Sequence, residues 1–370
     1  MGRRVHILGT DPRAFFIAHR LASYEYLEPV KLLINKRAIM NSWEFEGKRL
    51  LMLKGERKSF QNRAEAEWVG KGKAIPSSEH IEQLIVTIPC CQTVSAIYNI
   101  KHRIDSRTTI CLIQDGLGVA EELNATLFQD PTTRPTYILG HMAASIGYYK
   151  PMFFSSMLRK PGKLYLTALE RGINLPSFIK FHPPVERRSN AVQFMRTLVA
   201  TDGLSAGGYS LENYLIKKLP AIVFQCIIEP MAIAIDATYD QVLRNEHAIL
   251  LADELLEELF NVIWALPELT NFSKVVEHCG MDALRKYTLN RLADKGPAQS
   301  QLLSAVRAGK MVDIDYLNGY FVKRGQELGI KMPQNEMVVG AVKARIEERR
   351  KQLRGLIPFE GLASLNPHTD

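Results

Sequence analysis

The hexapeptide Gly9-Thr-Asp-Pro-Arg-Ala14 follows a short apolar run, Val5-His-Ile-Leu8, at the point where a strand would turn into a helix. At a dinucleotide-binding turn of this kind, glycines let the backbone fold tightly, approach the pyrophosphate and pack the helix close to the strand. Gly9 meets the first need. Asp11 stands where a second glycine would admit the phosphates, and Ala14 is a milder replacement for the third. The chemistry Asp11 offers instead is capping, since a carboxylate ahead of Pro12 accepts from the first amides of a helix that proline is suited to begin. The same carboxylate repels an incoming pyrophosphate, and Arg13 offsets some of that charge without restoring the space. After the next apolar run, Val30 to Ile34, Lys36 and Arg37 offer a 2'-phosphate two positive partners with no acidic residue beside them. A solvated surface explains those two bases equally well.

A second concentration of chemistry lies in Lys217-Lys-Leu-Pro-Ala-Ile-Val-Phe-Gln-Cys-Ile-Ile-Glu-Pro230. Glu229 is costly in so apolar a helix unless it is paired or protonated, so it is either a salt-bridged structural carboxylate or a site residue. The run from Pro220 to Ala237 is interrupted by Gln225, Glu229 and Asp236 before it reaches the roughly 20 apolar residues of a membrane span, and reads as a buried helix. Cys90, Cys91, Cys111, Cys226 and Cys279 show no CxxC spacing, which points to reduced thiols, an intracellular compartment and no metal site. Met1-Gly-Arg-Arg leads straight into the first strand and leaves no room for a secretory signal. Forty-seven basic against thirty-nine acidic residues give a formal +8 and a pI of about 9.1, a balance that favours polyanionic partners. The basic clusters around Lys54/Arg57/Lys58, Lys101/Arg103/Arg107 and Arg345/Arg349/Arg350/Lys351/Arg354 are dispersed along the chain, and their order does not tell whether they converge in space.

The elements that must position these groups follow from periodicity. Val5–Gly9, Val30–Ile34, Leu84–Ile88 and Thr109–Ile113 are short β-branched runs separated by helical stretches, which predicts a parallel sheet buried on both faces. Tyr137–Leu139 and Leu164–Leu166 read as later strands. From about Ser189 long helical periodicity takes over, as in Ala248–Phe260, and the Asp202–Gly208 stretch reads as a loop between helices. The Pro-rich, charged Phe181–Ser189 segment is the expected linker. The expected layout is a sheet domain over residues 1–185, a helical domain over 186–356 and a tail over 357–370, in a chain long enough for two cores.

The segment Asp313-Ile-Asp-Tyr-Leu-Asn-Gly-Tyr-Phe-Val-Lys-Arg-Gly-Gln-Glu-Leu-Gly-Ile-Lys-Met-Pro333 places Ile314, Leu317, Phe321 and Leu328 on one helical stripe that Gly329 and Pro333 end. It resembles the C-terminal helix of the ketopantoate reductase family. Leu84-Ile-Val-Thr-Ile-Pro-Cys-Cys-Gln-Thr93, Ile113-Gln-Asp-Gly-Leu-Gly118, Arg134-Pro-Thr-Tyr137 and Gly140 look like the fungal branch of that family. The resemblance implies an α/β Rossmann-like N-terminal domain and an all-α C-terminal domain similar to that of 6-phosphogluconate dehydrogenase. It further implies an NADPH cofactor near Gly9, Lys36, Arg37 and Asp115, and a substrate held by Ser300, Asp313 and the two positions of family asparagines, here Gln225 and Glu229. The family's proton-donating lysine falls on Ala221, and Lys217 lies four residues, about 6 Å, earlier with Pro220 between. Where the family usually has a lysine and an asparagine, this chain has Pro89 and Asp115; neither donates as the usual residue does.

Two functions are therefore expected from the resemblance. One is an NADPH-dependent 2-dehydropantoate 2-reductase, or a reductase of a related 2-oxo acid. The other is a non-catalytic derivative with weak or absent NADPH binding: the opening strand, Glu229-Pro230 in its helix and Leu317-Asn-Gly-Tyr-Phe321, without the dinucleotide glycines, also look similar to fungal activators of mitochondrial cytochrome b translation. That second resemblance implies the mitochondrion, with the cytoplasm as the alternative, and the basic balance suits RNA or a ribonucleoprotein; a protein partner or a homodimer is also expected.

Overall fold

The computed structural model describes residues 4–70, 77–169, 190–269 and 271–355. Its strands are β1 (Val5–Leu8), β2 (Val30–Ile34), β3 (Leu50–Lys54), β4 (Arg57–Gln61), β5 (Ala64–Trp68), β6 (Gln83–Val86), β7 (Thr109–Ile113), β8 (Thr136–Met142), β9 (Ser145–Gly147), β10 (Ser155–Lys160), β11 (Leu164–Ala168) and β12 (Ala206–Gly208). Its first helices are α1 (Pro12–Ala22), α2 (Arg37–Phe45), α3 (Cys90–Tyr98), α4 (Val119–Thr126), α5 (Asn190–Ala200) and α6 (Leu211–Ala234). They are followed by α7 (Tyr239–Arg244), α8 (Glu246–Ala265), α9 (Ser273–His278), α10 (Met281–Lys295), α11 (Gln301–Arg307), α12 (Asn318–Leu328) and α13 (Pro333–Gly355).

Eight strands form one sheet in the order β12-β11-β8-β7-β6-β1-β2-β5. From β5 to β8 every pairing is parallel. Counting β5 as the third strand, this is the 3-2-1-4-5-6 order of a dinucleotide-binding sheet, and the order reverses beside β1. β1, β6 and β7 are buried along their whole length, as strands covered on both faces must be.

A second sheet, of four strands in the order β4-β3-β10-β9, was not foreseen from the sequence. Its edge strand β4 is polar and carries no apolar run, so no periodicity marks it. Helix α1 packs against it as well as against β1 and β2, and one apolar core joins Val5, Ile7 and Phe15 to Trp43, Leu50, Met52 and Phe154. The Phe15 and Phe154 rings are 5.1 Å apart, and those of Trp43 and Phe154 are 4.8 Å apart. This core fixes where α1 starts.

The chain divides into two compact units, one of residues 1–219 with 267–277, the other of residues 220–266 with 278–370. The division falls inside α6, between Leu219 and Pro220, and not at the expected 185/186. The reason is that β12 pairs with β11, and α5 buries Ala191, Phe194 and Leu198 in the core of the sheet unit. The Asp202–Gly208 stretch is thus a loop that carries a strand. The linker expected at 181–189 lies outside the described residues, as does the tail expected at 357–370. In the helical unit Ile233, Leu303, Val306, Ile314, Val342 and Ile346 share a core. Ile314–Tyr316 forms a 3-10 turn and α12 starts only at Asn318, while Gly329, at φ +72°, ends it as expected. Among the described residues no helix is long and apolar enough to cross a membrane.

Candidate functional site

The crevice of the sheet unit lies outside the C-terminal ends of β1 and β6, where such sheets place their ligands. Gly9 is required there by packing. A Cβ on it would stand 2.1 Å from the Thr87 hydroxyl at the end of β6. Asp11, in extended conformation, caps α1: its Oδ1 accepts from the Ala14 amide at 3.2 Å and from the Thr87 hydroxyl at 2.5 Å. Pro12, next in line, has no N–H to give. The amide-rich helix start that would serve an anion is already occupied by the protein's own carboxylate.

Arg13 completes the arrangement. Its Nε donates to Asp11 Oδ2 at 2.9 Å and its Nη1 to Asp115 Oδ2 at 3.0 Å, so one guanidinium joins the turn after β1 to the turn after β7. Burial alone would raise the Asp115 carboxyl, but Arg13, Lys218 and His141 outweigh it and hold it down to about 2. With 45% of the Asp115 side chain in water, that attraction is partly screened.

Next to this bridge is a lysine that sequence reasoning passed over. Lys218, 2% exposed, donates from Nζ to the Gln114 carbonyl oxygen at 2.6 Å. The Gln114 side chain is held in turn by donating to Ile88 O and to the Thr93 hydroxyl at 2.6 and 2.7 Å. Burial brings the Lys218 ammonium down to about 8, with Asp115 and Cys90 opposing and Arg13 adding to the fall. An amine of that pKa in a dry site is competent to give up a proton near neutral pH. Lys217, the expected candidate, is exposed. Adjacent residues on a helix point about 100° apart, so only one of the pair enters the protein.

In the helical unit Glu229, 5% exposed, is paired as its burial requires. It accepts from Tyr239 OH at 2.6 Å and from the hydroxyl of Ser300, which is fully buried. Ser300 is also the N-cap of α11, accepting from the Leu303 amide at 3.0 Å. Two expected substrate contacts thus bind each other. Gln225 is half-buried, and its Oε1 has no hydrogen-bond partner among the described residues. Asp313, half-buried, precedes the 3-10 turn and is not part of α12. Asn318 donates to Cys226 O and to Asn335 Oδ1, each at 2.8 Å, and Asn335 donates to Glu258, so this trio joins α6, α8, α12 and the start of α13.

Lys36 and Arg37 are exposed at the end of β2, with the Arg37 guanidinium 5.9 Å from the Trp68 ring centroid. They stand at the right end of the sheet for a ribose phosphate. Pro89 is exposed at the start of α3 and makes no capping bond.

The profile described as "Ketopantoate reductase PanE/ApbA" matches residues 5–171, and that described as "Ketopantoate reductase PanE/ApbA C terminal" matches residues 213–347. A Schizosaccharomyces pombe protein named "Probable 2-dehydropantoate 2-reductase" is 20% identical over 360 residues, covering 94% of this chain and 97% of that protein. A 2-dehydropantoate 2-reductase of Aquifex aeolicus is 24% identical over 274 residues, 71% of this chain and 76% of the relative. Among solved structures, a PanE/ApbA family ketopantoate reductase from Ralstonia eutropha superposes with a TM-score of 0.69 at 17% identity, covering 94% of this chain and 99% of that one. D-mandelate dehydrogenase with NADH and anilino(oxo)acetate gives the same TM-score at 14% identity and the same coverage. At such identities these structures speak to the fold alone.

Proposed function

Because the chain belongs to the ketopantoate reductase family, we propose that it retains the family fold as a binding scaffold and has given up the reductase chemistry, acting in mitochondrial gene expression through RNA or a ribonucleoprotein. The observation that carries this reading is the Asp11–Arg13–Asp115 bridge. The turn after β1 does not fit a dinucleotide: its capping position holds a carboxylate, its first helical residue lacks an amide proton, and its one guanidinium is shared between two protein carboxylates. A diphosphate placed there would meet like charge and find few donors. The mutual bonding of Ser300, Glu229 and Tyr239 supports the same reading, because groups that bind one another are not presented to a substrate. The mitochondrial assignment rests on the likeness to activators of cytochrome b translation, and the RNA assignment on that likeness and the +8 charge. A protein partner or a homodimer is the alternative use of the same scaffold.

The test is a titration of the purified full-length chain with NADPH, followed by an assay of ketopantoate-dependent NADPH oxidation. No saturable binding in the low micromolar range and no turnover are expected. Tight binding with turnover would return the chain to the reductases.

One observation favours that second reading, an NADPH-dependent 2-dehydropantoate 2-reductase. Lys218 lies three residues, about 4.5 Å of helix rise, before the position of the family's proton donor, and it titrates near 8. Turnover that survives Lys217→Ala and is lost with Lys218→Met would make it the proton donor.

A further inference from the structure

The chain's positive charge is not spread over its surface. Residues 47–63 contain six Lys and Arg and one Glu, and residues 145–163 contain four and no acid. These 36 residues therefore carry a formal +9, whereas the whole chain carries +8. The two stretches are far apart in sequence, yet they build the four-stranded sheet β4-β3-β10-β9 and its turns. Two of the ten bases are committed. Lys48 pairs with Glu44 at 2.8 Å, and Arg63 donates to the carbonyls of Tyr24, Glu25 and Leu27. The other eight are all exposed, and among the described residues none has a carboxylate partner.

Register puts Lys58, Arg159 and the Phe60 ring on one face, whereas Lys54, Arg57 and Lys160 fall on the opposite parity, at the end of the sheet. Leu50 and Met52 turn into the core, so Leu51 and Leu53, themselves buried, point to the other side of the sheet. On that outer side Phe60 stands opposite Leu51, Lys58 opposite Leu53, Met157 beside Leu53 and Gly147 opposite Met157. Arg159 comes next on the same side and lies over Gly147, where a Cβ would stand 2.6 Å from its Nε. Phe60 is 48% exposed, with the Arg49 guanidinium 4.8 Å from its ring centroid. The Lys58 ammonium is 5.5 Å from the ring centroid of Tyr149. At the end of the sheet Lys54 pairs with Arg57 across the β3–β4 turn, and Lys160 closes β10.

We propose that this face binds single-stranded RNA, with phosphates on Lys58 and Arg159 and a base stacked on Phe60, the strand continuing past the end of the sheet over Lys54, Arg57 and Lys160. The proposal rests on the RNA-binding reading above and assigns it a surface. A pleated face with an aromatic ring set among unpaired cations matches an unstacked strand, which offers both phosphates and open base faces; a duplex hides the latter. The basic run at the end of α13 is a weaker candidate. Arg349 and Arg350 donate to the carbonyls of Arg307 and Gly309, so they serve the end of α11.

The experiment is fluorescence anisotropy of the full-length chain with a labelled oligouridylate of about 12 nucleotides, between about 50 and 200 mM salt. Phe60→Ala should weaken binding roughly 5- to 150-fold, the effect of losing one stacked base, and Phe60→Tyr should restore it. Replacing Arg57, Lys58 and Arg159 together with Ala should lower the slope of log affinity against log salt by about 2, at about 0.7 per phosphate. Replacing Arg349, Arg350 and Lys351 should leave both quantities unchanged, and thermal unfolding of each variant checks that it is folded. A wild-type chain that binds, with Phe60→Ala and the triple sheet variant binding equally well, overturns this surface and leaves the RNA reading standing. A wild-type chain with no affinity tighter than about 10⁻⁴ M overturns the RNA reading and the surface with it. Binding to phosphatidylserine vesicles but not to the oligonucleotide, lost in the triple variant, would give the face to a membrane and also overturn the proposal.

Discussion

Replacing Asp11 with glycine removes the carboxylate that closes the β1–α1 turn, and its cost follows from the three bonds that carboxylate makes. Losing the cap to glycine costs a few tenths of a kcal/mol. The bond from Thr87, a fully buried hydroxyl, to a charged acceptor contributes about 1.5–3 kcal/mol. The pair with Arg13, whose side chains are 28% and 27% exposed, adds under about 1 kcal/mol because water screens it. Asp11→Gly should therefore destabilise the sheet unit by about 2–4 kcal/mol, or roughly 5–15 °C in Tm for a unit of this size. Asp11→Asn keeps an oxygen for Ala14 and Thr87 and should cost only about 1 kcal/mol. Urea unfolding of the three proteins measures this directly. The same proteins titrated with NADPH should show the reverse order: the glycine variant frees Arg13 and the helix start, and should bind at least about 10-fold more tightly than wild type. Two results would refute the reasoning. If Asp11→Gly unfolds within about 0.5 kcal/mol of wild type, the carboxylate is not holding the turn; if wild type already binds NADPH at low micromolar concentration, a diphosphate displaces it.

Three further outcomes follow from buried polar groups. Lys218 titrates near 8 when folded and near 10.5 when unfolded, so between those values the unfolded chain holds more protons and stability should rise with pH, by up to about 3 kcal/mol; Lys218→Met should remove that rise in pH-dependent unfolding curves. His19, buried and bonded to the Ser59 carbonyl, is lowered by burial to about 4, so stability should fall as pH drops from 6.5 through 4, and His19→Gln should flatten that limb of the curve. Ser300→Ala takes a donor from the buried Glu229 and the cap from α11, and urea unfolding should show the helical unit weakened by about 1–3 kcal/mol.

Much of the fold is legible in local pattern. Val5–Leu8, Val30–Ile34 and Thr109–Ile113 announce themselves as buried strands because a strand covered on both faces is a near-continuous apolar run, with His6, Lys31 and Thr109 the polar exceptions. Asp11-Pro12 announces the start of α1 and Gly329 the end of α12, because capping is settled within a few residues. The expected placement of the domain boundary failed for a related reason: α5 and β12 are local elements whose allegiance is set by pairing with β11, about forty residues away.

What the sequence by itself determined, then, is the buried parallel strands, the helical texture after Ser189, the family, and the residue types at each turn, including the carboxylate at Asp11. Tertiary structure decided which of those residues meet. Lys217 is the candidate on paper, and only the packing of α6 exposes it and buries Lys218. Arg13 reaches Asp115 across 102 residues of chain. The basic stretches 47–63 and 145–163 look dispersed until β3 pairs with β10. The physical reason is the same in each case: backbone propensity acts over a few residues, whereas a charge's partner and a side chain's burial depend on which distant strands the core brings together.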